Sequence, residues 1–133
     1  MINKSKKILS EISAGEMLDK ISILEIKIDK VKNIDSQKEI VKEYVSLKKT
    51  KNSHIKVTVE IEKLYKEIKK INLKLWSIED KIRVYEKKKD FGNEFIELAR
   101  SVYVTNDQRF KIKSEINKLA GSNIKEIKQY VDY

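Results

Sequence analysis

The 133-residue chain has no cysteine, no proline, three glycines and one histidine. Without cysteine there is no disulfide, no thiol nucleophile and no cysteine-bound metal. The single histidine, His54, has no second histidine to complete the Glu-x-x-His pairs of carboxylate-bundle metal sites. No glycine-rich phosphate loop is present. The residues therefore call for no metal and no cofactor. No apolar run approaches the roughly 18 residues that a membrane span needs. The segment Met1–Ser10 is basic but lacks the apolar centre of a secretory signal. These features read as a cytoplasmic protein. The missing proline and scarce glycine, the two residues least tolerated in helix interiors, point to a helical chain.

What is abundant is charge. Basic residues number 30 against 21 acidic ones, giving a net charge of +9. Such a balance raises nucleic acid as a partner. Its composition argues otherwise: Arg83, Arg100 and Arg109 are the only arginines, and the other basic residues are lysines interleaved with glutamates, as in Glu60, Glu62, Lys63 and Glu67, Lys69, Lys70. This mixture reads as a solvated helix surface with charge pairs one turn apart. Nucleic acid is not expected as a partner.

Hydrophobic spacing gives the order of elements. Residues 1–12 form an N-terminal arm in which Ile8, Leu9 and Ile12 are placed to tuck against a bundle or pair as a short strand. Ser13 to Glu16 is a capping box and opens a helix over 13–32, with Met17, Ile21, Leu24, Ile28 and Val31 on one face. A second box, Ser36 to Glu39, opens a helix over 36–50. Thr50–His54 is weakly patterned, either a turn or part of a longer helix. Over 55–89 the residues Val57, Ile61, Leu64, Ile68, Ile71, Leu75, Ile78, Ile82 and Tyr85 alternate by four and three, the spacing of a coiled-coil seam. After a turn at Asp90–Asn93, a helix over 93–120 repeats the pattern, interrupted by Thr105 and Arg109. Gly121 ends it, and 122–133 is a short helix or tail. The expected fold is all-α: an elongated antiparallel helical bundle built on a long αα-hairpin, in one domain over 1–133.

Polar residues interrupt the seams. Folding the hairpin about residue 91 brings Arg109 near Asn72 and Thr105 near Trp76. Asn72, Trp76, Glu79 and Arg83 form one stripe with Asp80 beside it. Arg100, Tyr103 and Asp107 form another, flanked by Asn106, Arg109 and Lys113. On the first helix, Glu16, Lys20 and Lys27 share a stripe, with Asp19 and Glu25 adjacent. In a chain that otherwise uses lysine, arginine signals a need for the planar, two-pronged guanidinium. Two arrangements fit. In one, an internal network fixes helix register, pairing Glu79 or Asp80 with Arg100 or Arg109, and Asp107 with Arg83. In the other, the arginines face a pocket for an anionic ligand. Trp76, the sole tryptophan, suits either core packing or stacking on a ligand ring.

Three blocks carry a family resemblance. They are Ser13-Ala-Gly-Glu-Met-Leu-Asp-Lys-Ile-Ser-Ile-Leu-Glu-Ile-Lys27, Asn72-Leu-Lys-Leu-Trp-Ser-Ile-Glu-Asp-Lys-Ile-Arg83, and Phe95-Ile-Glu-Leu-Ala-Arg-Ser-Val-Tyr103 continuing to Asn106-Asp-Gln-Arg109. Together with Gly121, Ser122, Glu126, Lys128, Tyr130 and Tyr133 they resemble a small bacterial family known only as a domain of unknown function. The Leu-Trp-x-x-Glu-Asp and Asn-Asp pieces also resemble a second uncharacterised helical family. The first resemblance implies a stand-alone cytoplasmic bacterial protein of a kind often encoded beside genes for lipopolysaccharide and other surface glycans.

The motif residues coincide with the polar stripes. The candidate ligand-binding set is therefore Glu16, Asp19, Lys20, Trp76, Glu79, Asp80, Arg83, Arg100, Tyr103, Asn106, Asp107 and Arg109. The expected role is a binding or adaptor module, accessory to surface-polysaccharide synthesis, that holds a sugar phosphate, a nucleotide or a partner protein's acidic side chain. Two alternatives stand beside it. One is a small-molecule enzyme with Glu79 or Asp80 as acid or base and the arginines as anion clamps. The other is a purely structural coiled-coil dimer. A homo-oligomer, most simply a homodimer, is the expected state.

Overall fold

The computed structural model describes residues 7–133. Among these lie four α-helices and no strand: α1 Ala14–Lys30, α2 Ile34–His54, α3 Val59–Lys88 and α4 Asn93–Ala120. The fold is an all-α bundle. Its frame is the α3–α4 hairpin, whose longer arm, at 30 residues, rises about 45 Å. Lys89 adopts a left-handed conformation (φ 56°) to end α3, and the Asp90 amide donates to the Tyr85 carbonyl at 3.0 Å. Phe91 packs edge-on against Phe95 with ring centroids 5.1 Å apart, which fixes the entry into α4.

α1 lies across both arms of the hairpin with two buried faces. Ala14, Met17, Leu18 and Ile21 join Ile61, Leu64 and Ile116 in the apolar core. The second face, Gly15, Asp19, Ser22 and Ile26, is made mostly of small or polar residues and is also buried. At Gly15, α1 approaches α4 closely. A Cβ on it would lie 2.8 Å from Asn117 Oδ1 and against the Lys113 carbonyl. The missing side chain lets the Gly15 amide donate to Asn117 Oδ1 at 2.6 Å. Its neighbours are capped too. The Ala14 amide donates to Ser122 Oγ at 2.8 Å and the Glu16 amide to Ser13 Oγ at 3.1 Å. Gly121, with φ 65°, ends α4 and turns the chain so that Ser122 reaches α1.

Several elements differ from the sequence reading. α2 starts at Ile34 rather than 36, because Asn33 is the cap and its side chain accepts from the Ser36 amide at 3.0 Å. It continues through Thr50–His54 without a break. α2 packs against α1 and reaches the core through Tyr44 and Leu47, yet none of its residues is buried. The Ser13 half of the first capping box forms, but the Glu16 carboxylate pairs with Lys113 on α4. In the arm, Ile8 and Leu9 are exposed, Ile12 packs against the core, and no strand forms among the described residues. Residues 1–6 of that arm lie outside the described residues. The segment after Gly121 is not helical.

On α3, Ile61, Leu64, Ile68 and Ile78 of the expected seam are buried, and Asn72 is buried with them. Ile71, Leu75, Ile82 and Tyr85 are half-buried, and Val57 precedes the helix. The last buried residue of α3 is Ile78 and the first of α4 is Thr105. Among the described residues, no third helix lies against the hairpin beyond them.

Candidate binding cleft

The polar face of α1 meets the hairpin at Asp19, whose side chain is 1% exposed. Asn72 Nδ2 donates to Asp19 Oδ1 at 2.8 Å, and Arg109 Nε donates to the same oxygen at 2.9 Å. Arg109 Nη2 donates to Asp19 Oδ2, completing a two-pronged pair. Asn72 Nδ2 also donates to Ser22 Oγ at 2.8 Å, and Ser22 Oγ donates to the Asp19 carbonyl at 2.7 Å. One carboxylate thus joins α1 to both arms of the hairpin. A buried carboxylate is tolerable only with such partners.

Lys113, one turn beyond Arg109, is 7% exposed and has three carboxylates around it. Its Nζ lies 2.6 Å from Glu16, 2.8 Å from Glu126 and 3.8 Å from Asp19. Burial pushes the Lys113 ammonium down in pKa, but Glu126, Glu16 and Asp19 together outweigh it, and the net shift is upward from 10.5. Arg109 is also raised, first through its hydrogen bonds to Asp19. A second carboxylate, Glu25, accepts from Tyr44 Oη at 3.1 Å and from Tyr65, tying α1 to α2 and α3. Burial and the Glu25 charge raise the Tyr44 phenol above 10.0.

The Lys113 ammonium and the Tyr44 phenol therefore bind their protons more tightly folded than unfolded. Their contribution to stability is complete below about pH 10 and is lost as pH rises through the raised values. The melting temperature is expected to fall above pH 10. A scan from pH 8 to 12 checks this, and the Tyr44→Phe protein should show a shallower loss.

Beside the Asp19–Arg109 pair, a cleft of about 630 Å³ opens between the helices. Ile23 and Ile26 of α1 form one side, Asn72, Leu75, Trp76, Glu79, Asp80 and Arg83 of α3 another, and Asn106 and Arg109 of α4 the third. Arg109 turns Nη1 toward Asn106 Oδ1, 3.4 Å away. Arg83 Nη1 donates to Glu79 at 2.7 Å.

The structure divides the twelve candidates. Trp76, Glu79, Asp80, Arg83, Asn106 and Arg109 line the cleft. Asp19 and Glu16 belong to the network at its base. Lys20 is exposed on α1. Arg100 pairs with Glu97 at 3.0 Å on the outer surface of α4, away from the cleft. Tyr103 and Asp107 face the C-terminal tail: Tyr133 packs edge-on against Tyr103 at 5.1 Å and its hydroxyl donates to Asp107. Trp76 is half-buried on the cleft wall and is not part of the apolar core.

The ion pairs also differ from those expected. Arg109 takes Asp19, Arg83 takes Glu79 and Arg100 takes Glu97, so no arginine pairs across the hairpin with Glu79, Asp80 or Asp107. Neighbours one turn away on the same helix satisfy two of them at lower entropic cost. Sequence reasoning left Ser22, Asn72, Lys113 and Glu126 out of the candidate set. The available signal was the spacing Gly15, Asp19, Ser22, a stripe of small or polar residues beside the apolar face of α1.

Residues 8–132 match a family described as a family of unknown function, DUF6165. The chain belongs to that family. No curated protein and no solved structure matches it. The DUF6165 match spans the Asp19 network, the whole cleft and most of the tail, so all three lie within the family region. Among the described residues no group of side chains is placed to hold a metal ion, and no helix is long and apolar enough to cross a membrane.

Proposed function

We propose that this chain is a binding module whose cleft between α1, α3 and α4 holds the ring of a saccharide. The observation that carries the reading is the lining. An indole, Trp76, stands among carboxylate, amide and guanidinium groups in a concave site of about 630 Å³. A sugar ring offers an apolar C–H face for an aromatic side chain and a rim of hydroxyls for paired donors and acceptors.

Charge balance supports a neutral or amino sugar over the sugar phosphate or nucleotide expected from the arginines. Two carboxylates, Glu79 and Asp80, face two guanidiniums, Arg83 and Arg109, and Arg109 is already engaged by Asp19. Among the described lining residues a dianionic phosphate would find no unpaired cation. The resemblance to a family encoded beside surface-glycan genes suits a cytoplasmic role accessory to polysaccharide synthesis. We also read the chain as a homo-oligomer.

A thermal-shift panel of neutral sugars, amino sugars, sugar phosphates and nucleotides tests the cleft. A ligand at 100 times its Kd adds about 2.7 kcal/mol to stability. The expected result is a selective shift with a neutral or amino sugar that disappears in Trp76→Ala. A response confined to phosphorylated compounds, or one that survives Trp76→Ala, contradicts the reading.

A further inference from the structure

Between Glu79 and Val104 no residue of the hairpin is fully buried, because α1 covers only the part below Ile78 and Thr105. Two helices alone bury one stripe each, and helical stability in proteins comes mainly from packing such faces. Apolar side chains accordingly remain open here: Val84 is 50% exposed and Ile96 49%. On one side, α3 and α4 bound a groove of about 990 Å³ with Val84, Tyr85 and Leu98 along its floor. Its rims differ in charge. Lys81 and Lys88 stand on the α3 rim, partly offset by Asp80 and by Asp90 of the turn, and Glu94 and Glu97 stand on the α4 rim, Glu94 accepting from Tyr85 and Glu97 partly offset by Arg100.

We propose that this groove is a dimer interface, filled by the same groove of a second copy of the chain. Charge complementarity selects the occupant and the symmetry. A two-fold axis running along the hairpin sets α3 of one copy over α4 of the other, and the contact occurs twice. Each lysine rim then meets a glutamate rim, the apolar floors face each other, and every neighbouring helix is antiparallel, the arrangement of an up-down four-helix bundle. A two-fold axis across the hairpin would set α3 on α3 and lysine on lysine, which like-charge repulsion disfavours. The pairing is independent of the saccharide reading, since the groove shares only Asp80 with the cleft.

Sedimentation equilibrium of the full chain between about 1 and 200 μM tests the proposal. The wild-type protein is expected to dimerise, more weakly at 1 M salt, where exposed charges are screened. The Lys81→Glu/Lys88→Glu variant and the Glu94→Lys/Glu97→Lys variant are each expected to weaken the dimer at least tenfold. All four positions are exposed, and circular dichroism checks that both variants stay helical. An equimolar mixture of the two variants should restore association, because each reversed rim then meets its complement. A wild-type chain that stays monomeric throughout overturns the proposal. So does a dimer indifferent to both variants, or a mixture that fails to associate.

Discussion

Asp19→Ala is expected to destabilise the protein by about 3–5 kcal/mol, the usual cost of removing one partner from a buried ion pair. For a chain of this length that lowers the melting temperature by on the order of 10–15 °C. The loss exceeds that of one hydrogen bond because Asp19 serves three partners. Without it, the Arg109 guanidinium loses both prongs of its pair, and the buried Asn72 amide loses one of its two acceptors and keeps only Ser22 Oγ. The Asp19→Leu/Arg109→Met double variant should be less damaged than the sum of the two single changes, since no charge is then stranded. Chemical denaturation of the wild type, Asp19→Leu, Arg109→Met and the double variant measures the coupling. A loss below about 1 kcal/mol for Asp19→Ala would show that the network is not holding the helices together.

Gly15→Ala is expected to cost about 2–3 kcal/mol, and its sign is diagnostic. In an exposed helix interior the same change stabilises by about 1 kcal/mol, through alanine's higher helix propensity. At Gly15 the added methyl would press on the Lys113 carbonyl and on Asn117 Oδ1, which already accepts from the Gly15 amide. Backbone on one side and a committed cap on the other leave nowhere to move. α1 must then lift from α4, at the usual cost of overpacking. The lift also strains Lys113–Glu16 and Arg109–Asp19, both between the same two helices. Gly15→Ala should therefore broaden the loss of structure beyond its own contact. Hydrogen exchange at α1 amides measures this.

The sequence pattern is most legible where packing is apolar. The spacing of Ile61, Leu64, Ile68 and Ile78 identifies the long helix, and these residues are buried on one face of α3. Asp90 to Asn93 marks the turn because neither helix pattern continues through it. Asn33 and Ser36 are comparable caps that the sequence does not rank, so the spacing predicts the start of α2 at 36 and the structure begins it at Ile34. Polar partners were less legible still. Local spacing suggested that arginines would pair across the hairpin. Arg83 and Arg100 instead found glutamates on their own helices, while Arg109 crossed to Asp19 on α1. That choice depends on α1 lying across the hairpin, which no short motif encodes. Tyr103 and Asp107 were read as part of the same cluster as Trp76. The tail occupies them, and although Ile124, Ile127 and Val131 carry a helical spacing, the chain after Gly121 is not helical, so the pattern does not announce its course.

The cluster named from sequence thus separates into two parts with different work. Asp19, Asn72, Arg109 and Lys113 form a paired lock, of which Asn72 and Arg109 also touch the cleft, whereas Trp76, Glu79, Asp80, Arg83 and Asn106 border the opening alone. Changes in the first group should act on stability, and changes in the second on binding.

Trp76 is the only tryptophan in the chain, so its fluorescence reports on the cleft alone. The decisive measurement is a titration of the intact protein with a neutral or amino sugar taken from the thermal-shift panel. It follows Trp76 emission and its quenching by acrylamide. The account requires a saturable change in emission, protection of the indole from the quencher, and loss of saturation in Glu79→Gln or Asn106→Ala at unchanged melting temperature. An indole that stays equally open to quencher at every sugar concentration, or that responds only to phosphate-bearing compounds, would contradict it.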